Sequence, residues 1–189
     1  GLSILTYFLA KRLSEPIAKL SEATYQISRG EFNIRTNIKS RDEIGDLSES
    51  FDNMAKKLQE AQAVIEIEQL EEGLEILNEI LEMRRLTDYE RAQVNYFFAY
   101  VAYLKEDYRG AISYYNKVLR EEEVPEGLLS SARYTIAQLW FQLEEWDKAI
   151  RAVDDLLANA DSPRPDLYIL KGSALYQLKN YREMIPVIR

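Results

Sequence analysis

The chain has 189 residues, of which 47% are hydrophobic and 30% are charged, and its net charge is −8 at pH 7. These proportions are typical of a folded protein of one or two domains and exclude a largely disordered chain. The sequence contains no cysteine and no histidine. Disulfides, thiolate metal sites, a cysteine nucleophile, a histidine base and a phospho-accepting histidine are therefore excluded within these residues.

The negative charge is unevenly distributed along the chain. Residues 1–62 carry nine basic and nine acidic side chains, whereas residues 63–189 carry 15 basic and 23 acidic side chains. Because an acidic surface repels the phosphate backbone, we predict no nucleic-acid partner.

The first ten residues form an apolar run that stops at Lys11 and Arg12. Ten helical residues rise only about 15 Å, which is half the thickness of a bilayer core. The run suits the cytoplasmic end of a membrane-spanning helix, with the two basic residues as its inner flank. The alternative is an apolar helix start that packs in a dimer.

Two later stretches have the pattern of coiled-coil helices, with apolar residues at alternating steps of three and four. Pro16 suits the first turn of the first helix, so we expect this helix to begin near residues 14–16. Gly30 is suited to end it. Asp42 and Glu43 favour the start of the second helix, because carboxylates are stabilised at the positive end of a helix dipole. In the connector, Phe32, Ile34 and Ile38 are expected to pack inward.

These two helices, with Pro16, Gly30 and the run Asp42-Glu43-Ile44-Gly45, resemble a HAMP domain, the relay module of bacterial transmembrane receptors. The resemblance implies a homodimer, a parallel four-helix coiled coil that relays a signal by two-state repacking. It also implies that Glu43 links the second helix back to the proline region. Asp52 stands where the family commonly has asparagine, which we interpret as a surface change. The relay residues implied are Pro16, Ile17, Leu20, Ile27, Gly30, Glu43, Gly45, Leu47, Phe51, Met54 and Leu58.

From about residue 60 the sequence repeats. Small residues recur at Gly73, Ala111 and Ala149, 38 positions apart, and Met184 follows after 35. Another small residue precedes each of these, in the order Ala61, Ala99, Ala137 and Gly172. A period of this length predicts stacked pairs of helices.

The pattern resembles tetratricopeptide repeats (TPR), whose bacterial members with similar runs are scaffolds or adaptors. The resemblance implies an α-solenoid of about three and a half helix pairs over residues 62–189. Gly73 and Met184 are weak points of it, because alanine is usual at both positions. The last pair lacks a polar capping helix, so we expect the chain to be cut there. A fusion of HAMP to such repeats is unusual, which makes an engineered or trimmed chimera an open alternative to a natural protein.

One face of the first helices in these repeats is rich in tyrosine. Tyr96, Tyr100 and Tyr103 share that face at steps of four and three, and the repeat alignment extends it through Tyr134, Gln138, Phe141 and Tyr176. Tyrosine combines a large contact area with a hydroxyl group, which suits recognition of a partner peptide. The alternative is that these rings form the core between repeats. That core is expected to hold Tyr108, Tyr115, Trp140 and Trp146.

The two resemblances meet without a linker, because residues 54–63 belong to both. Either one helix runs through residues 45–70, or a tight turn falls near residues 65–69. We divide the chain into the end of a transmembrane helix (1–12), a HAMP domain (13–61) and TPR repeats (62–189), all α-helical.

The predicted function is a non-enzymatic signal relay and protein-interaction module on the cytoplasmic side of the bacterial inner membrane. The expected partners are a second copy through the HAMP helices, the membrane through the N-terminal helix, and a protein or peptide on the inner face of the repeats. No cofactor or metal is expected. Two alternatives stay open. One is a soluble TPR scaffold with a dimerising coiled coil, and the other is a fragment of a receptor histidine kinase or cyclase without its catalytic domain.

Overall fold

The computed structural model describes residues 2–28, 31–83, 86–158 and 165–187. Every regular element in these ranges is an α-helix, which confirms the all-α prediction. Among the residues described, no helix has both the length and the apolar character needed to cross a bilayer. The helices are α1 (Leu2–Ser28), α2 (Glu43–Glu66), α3 (Leu70–Leu81), α4 (Asp88–Leu104), α5 (Tyr108–Val118), α6 (Glu126–Gln142), α7 (Trp146–Ala158), α8 (Pro165–Gln177) and α9 (Tyr181–Val187).

The chain divides into two compact units, residues 1–90 and residues 91–189. The first unit contains α1, α2 and α3, so it holds both predicted HAMP helices and the second helix of the first repeat pair. The predicted boundary between residues 61 and 62 falls inside α2. The domain limits of 13–61 and 62–189 stay a prediction.

Helix α1 continues through Pro16, so the prediction that the helix begins near residues 14–16 is wrong. Because the apolar run before Pro16 is itself helical, the proline lies in a helix interior. There it has no N–H for the carbonyl of Arg12 and costs about 3 kcal/mol relative to alanine. The predicted stop at Gly30 lies outside the described residues, and α1 ends at Ser28.

The start of α2 is capped as the sequence predicts. The Asp42 carboxylate accepts hydrogen bonds from the backbone N–H groups of Ile44, at 3.2 Å, and Gly45, at 3.3 Å. A hydrogen bond from Ser40, together with these amides, holds the pKa of Asp42 below its usual value. The ionised cap satisfies amides that the helix leaves without a partner of their own.

Residues 45–70 form two helices joined by a tight turn, which decides between the two alternatives open from the sequence. Within this turn Glu68 has a φ of 64°, in the left-handed region. The N–H of Gln69 donates to the carbonyl of Val64, five positions back, at 2.9 Å. This bond closes the end of α2 and reverses the chain into α3.

The same turn recurs in the other helix pairs. Left-handed residues follow Glu68 at Glu106, Glu144 and Lys179, at intervals of 38, 38 and 35 positions. After each, the next residue donates its N–H to the carbonyl five positions back, at 2.9 to 3.0 Å. The intervals equal those between the small residues, so the backbone repeats with the period that the sequence predicts.

The small residues of the repeat are buried where helices pack. Ala61, Ala99 and Ala137 are completely buried. A Cβ added at Gly73 would lie 2.6 Å from Cγ1 of Ile65, so the close approach of α3 to α2 requires glycine. The departure from the usual alanine at Gly73 thus has a packing reason in this chain. Met184 is only half-buried.

Candidate functional site

The connector between α1 and α2 lies along α2 and runs in the opposite direction. This geometry is what two parallel helices in one chain require, because the chain has to return before the second helix begins. Phe32 is buried and Ile34 and Ile38 are half-buried, as predicted for inward-facing anchors. Contacts with α2 come in reverse order: Arg35 with Gln59, Thr36 with Asp52, and Ile38 with Ser48.

Ser48 and Asp52 hold the connector through its backbone. The Asp52 carboxylate accepts from the N–H and hydroxyl of Thr36, at 2.7 and 3.0 Å, and from the N–H of Asn37, at 3.2 Å. The Ser48 hydroxyl accepts from the N–H of Ile38 at 3.2 Å and lies 2.5 Å from the Thr36 hydroxyl. We call this set the connector clasp. The interpretation of Asp52 as a surface change is wrong, since its half-buried carboxylate satisfies three donors.

Gly45 is required by the last residues of the connector. A Cβ at this position would lie 2.2 Å from the carbonyl oxygen of Ser40 and 2.8 Å from its carbonyl carbon. Both are backbone atoms and cannot swing away as a side chain does. Glu43, two residues earlier and also in the predicted relay set, is exposed.

The apolar residues at the coiled-coil positions of α1 and α2 form what we call the seam. In a single copy of the chain, this seam has an open half and a closed half. The open half consists of Ile17, which is 54% exposed, and Leu47, which is 38% exposed. Leu20 and Phe51 are buried. The closed half consists of Ile27, Met54 and Leu58, which are completely buried. One copy thus covers part of the seam that the HAMP resemblance assigns to the dimer interface. Pro16 is half-buried.

Three of the seven predicted partner-binding residues meet around one concave surface in residues 91–189. A cavity of about 430 Å³ lies between α4, α5 and α6, and we call it the tyrosine groove. Tyr100 and Tyr103 at its wall are 42% and 47% exposed, and Gln138 is also exposed. The lining is Tyr100, Tyr103, Tyr108, Tyr115, Thr135, Gln138, Leu139 and Gln142.

Tyr96 lies beside this groove, and its ring packs edge-on against Tyr115 with centroids 5.1 Å apart. Burial raises the pKa of the Tyr96 hydroxyl and, more strongly, that of Tyr115, although Thr135 offers each a hydrogen bond. Both hydroxyls therefore stay protonated at neutral pH. The residues that line the groove include no acidic and no basic side chain.

The remaining predicted residues, Tyr134, Phe141 and Tyr176, do not line the groove. Tyr134 packs against a buried cluster of α6, α7 and α8, and its hydroxyl donates to Asp166 at 2.7 Å. Phe141 packs on Trp146 with centroids 4.9 Å apart. Tyr134 and Phe141 thus pack α6 against its neighbouring helices, and Tyr176 is 58% exposed on α8.

An aromatic pair spans the turn in each of three helix pairs. Tyr103 meets Tyr108 at 6.0 Å between ring centroids, Phe141 meets Trp146 at 4.9 Å, and Tyr176 meets Tyr181 at 5.9 Å. The partners are always five positions apart and flank the left-handed residue. In the first turn the equivalent positions hold Ile65 and Leu70. The alignment of the internal repeats predicts that Tyr103, Phe141 and Tyr176 lie on a binding face. In the structure, these residues also pack locally across the turns.

Two acidic side chains of the later helix pairs, Glu145 and Asp154, are paired with cations. Glu145 accepts from Arg109 at 2.7 Å and lies 3.3 Å from Lys148, and these contacts lower the pKa of its carboxyl group. Asp154 pairs with Lys171 at 2.5 Å. Within the described ranges, no group of acidic side chains is arranged to hold a metal ion.

Comparison with known proteins identifies the N-terminal part of the chain. Residues 8–60 match the HAMP domain model, which confirms the HAMP prediction. A sensor protein kinase WalK of Staphylococcus aureus is 42% identical over 65 residues, which are 34% of this chain and 16% of that protein. The WalK of strain Newman shows the same identity over 11% of its length. The chain thus spans well under a fifth of these relatives. No solved structure matches the chain, and the family match places a HAMP domain at residues 8–60.

Proposed function

We propose that the chain is a membrane-proximal signalling module that combines a HAMP relay with a binding surface for a partner protein. In this proposal α1 receives a displacement from the cytoplasmic side of a bacterial inner membrane and the connector clasp transmits it to α2. The observation that carries the proposal is the continuity of α2, because one helix holds the clasp at Ser48 and Asp52 and packs on α3 at Ile65. The module has no catalytic role of its own.

The relay acts as a homodimer that meets through the open half of the seam. Support comes from Ile17 and Leu47, whose apolar side chains lie on the seam and are exposed in one copy. Covering such residues is favourable by about 25 cal/mol per Å² of apolar surface removed from water. Since the chain has no cysteine, a single Leu47→Cys substitution tests the dimer directly. We expect a cross-linked dimer under mild oxidation. Glu49→Cys, which is exposed and lies outside the seam, is the control and should cross-link less.

The tyrosine groove binds an extended segment of a partner protein. Its lining offers aromatic faces, hydroxyl donors and the amides of Gln138 and Gln142 without formal charge. Binding should therefore vary little between low and high salt, because charge screening acts on charged contacts. Peptides selected from a displayed library on the intact chain provide the test. Tyr100→Ala should weaken them at least tenfold, whereas Tyr168→Ala, on exposed surface outside the groove, should leave binding unchanged.

Absence of any selected peptide, or peptides equally affected by both substitutions, would contradict the groove assignment. That result would leave the relay untouched, since the dimer is measured on another unit of the chain.

A second candidate is that these residues serve within a sensor kinase. The observation that favours it is the 42% identity with the kinase relatives over the HAMP segment. The 189 residues lack a histidine to accept a phosphoryl group, so incubation with labelled ATP should leave the chain unlabelled. Labelling of the chain alone would contradict the proposal of a non-enzymatic module.

A further inference from the structure

Met54 and Leu58 are 0% exposed in one copy of the chain, although their positions on the seam are those that a second copy covers in a parallel four-helix bundle. In one copy, another part of the chain therefore takes that place. Two elements downstream of the HAMP segment contact its helices, namely α3 and Tyr89 at the start of α4.

Helix α3 lies antiparallel on the C-terminal half of α2. Its Gly73 is held against Ile65, and its Glu79 forms an ion pair with Lys57. These two contacts fix the alignment of the helices. The completely buried Leu77 and Ile80 of α3 therefore face the stretch of α2 that contains Leu58 and Ala61.

The start of α4 contacts the other helix of the HAMP segment, α1. Tyr89 is buried, and its hydroxyl donates to the backbone carbonyl of Thr24 on α1 at 3.0 Å. Thr24 lies one turn before Ile27, which is completely buried. Both long helices of the HAMP segment thus carry a contact from the chain that follows.

We propose that α3 and Tyr89 form an internal cap that occupies the place of a second copy on the closed half of the seam. The inference deepens the proposed relay, whose dimer is then limited to Ile17 and Leu47 while the cap is seated. Displacement of α3 from α2 frees Met54 and Leu58 for a partner copy. The cap therefore couples the first repeat pair to the association state of the HAMP helices.

Cysteine substitutions test the cap separately from the dimer. In the variant Lys57→Cys with Glu79→Cys, we expect a short bismaleimide to link the two cysteines within one copy, because the side chains of Lys57 and Glu79 meet across the helices. Peptide mapping locates the link. Met54→Cys should give less than about a tenth of the inter-copy cross-linking of Leu47→Cys. Adding Gly73→Val, which places side-chain atoms against Ile65, should raise cross-linking at Met54→Cys at least fivefold.

The proposal is overturned if Met54→Cys cross-links between copies as readily as Leu47→Cys in the chain with native Gly73. It is also overturned if the 57/79 pair closes only between copies. Should Gly73→Val unfold the chain, the 57/79 pair and Met54→Cys alone still decide. If Leu47→Cys fails to cross-link while the 57/79 pair closes within one copy, the proposed dimer is wrong and the cap is supported.

Discussion

The first helix pair, α2 and α3, and the three later pairs share one turn but differ in what surrounds it. All four turns have a left-handed residue and the same backbone hydrogen bond. Only the later turns are flanked by two aromatic rings, whereas the first has Ile65 and Leu70, with Gly73 pressed against Ile65. The difference shows that backbone geometry defines the repeat, and that side chains vary with the task of the first helix. In α2 that task includes holding the HAMP connector.

The largest expected effect comes from adding a side chain at Gly45, where α2 lies close to the connector. In Gly45→Ala the new methyl group meets the Ser40 carbonyl, and we expect a loss of about 3 kcal/mol, the upper end for overpacking. The matched control is Gly127→Ala in α6, where a Cβ meets nothing within 4 Å. That change should gain about 0.5 to 1 kcal/mol from helix propensity. Urea unfolding measures the change in free energy for both variants. Equal changes would contradict the claim that the connector requires glycine at position 45.

Removal of the connector clasp should have the second largest effect on the unfolding free energy. Asp52→Ala leaves two amides and a hydroxyl without their acceptor, at a cost of about 2 kcal/mol in unfolding free energy. Asp52→Asn retains one carbonyl acceptor and should lose less. Asn53→Ala, exposed on the same helix, is the control and should change stability by under about 0.5 kcal/mol. If the clasp does not stabilise the fold, all three variants should show the same small change in unfolding free energy.

The second unit should become less stable at alkaline pH because of the half-buried Tyr96 and the buried Tyr115. The pKa values of Tyr96 and Tyr115 are raised above the ordinary 10.0, so the folded state keeps protons that the unfolded state releases. Stability from these groups is complete below pH 10 and decreases as pH rises above it. Thermal unfolding from pH 8 to 11 should show this loss. The double variant Tyr96→Phe with Tyr115→Phe should lose less, and an unchanged slope would argue against the buried hydroxyls.

The smallest effect concerns the shared turn itself. Glu68→Gly and Glu106→Gly should each gain up to about 1 kcal/mol, because glycine adopts a positive φ without steric cost. Glu75→Gly, in the interior of α3, should instead lose about 1 kcal/mol. Similar gains at residues 68 and 106 would show that the first and second turns are equivalent. A loss at residue 68 alone would show that they are not.

Periodicity predicted much of this architecture because it reports which faces are buried. The seam residues, the small residues and the Asp42 cap were all visible in the sequence. The clasp was not, since Ser48 and Asp52 are ordinary polar residues on a helix until the connector is known to pass over them. Pro16 misled because a proline marks a helix start only where no helix precedes it. The tyrosine groove was found in part, as spacing places rings on a face without telling which neighbours cover them.

Amide hydrogen exchange in Asp52→Ala is the most direct test of the central claim, which is that α2 links the connector clasp to α3. Residues 36–38 should exchange faster in the variant because their hydrogen bonds to Asp52 and Ser48 are lost or weakened. If α2 couples the two ends, residues 70–81 should also exchange faster, while residues 108–118 in α5 stay as in the unaltered chain. Faster exchange confined to the connector, with α3 unchanged, would contradict the account.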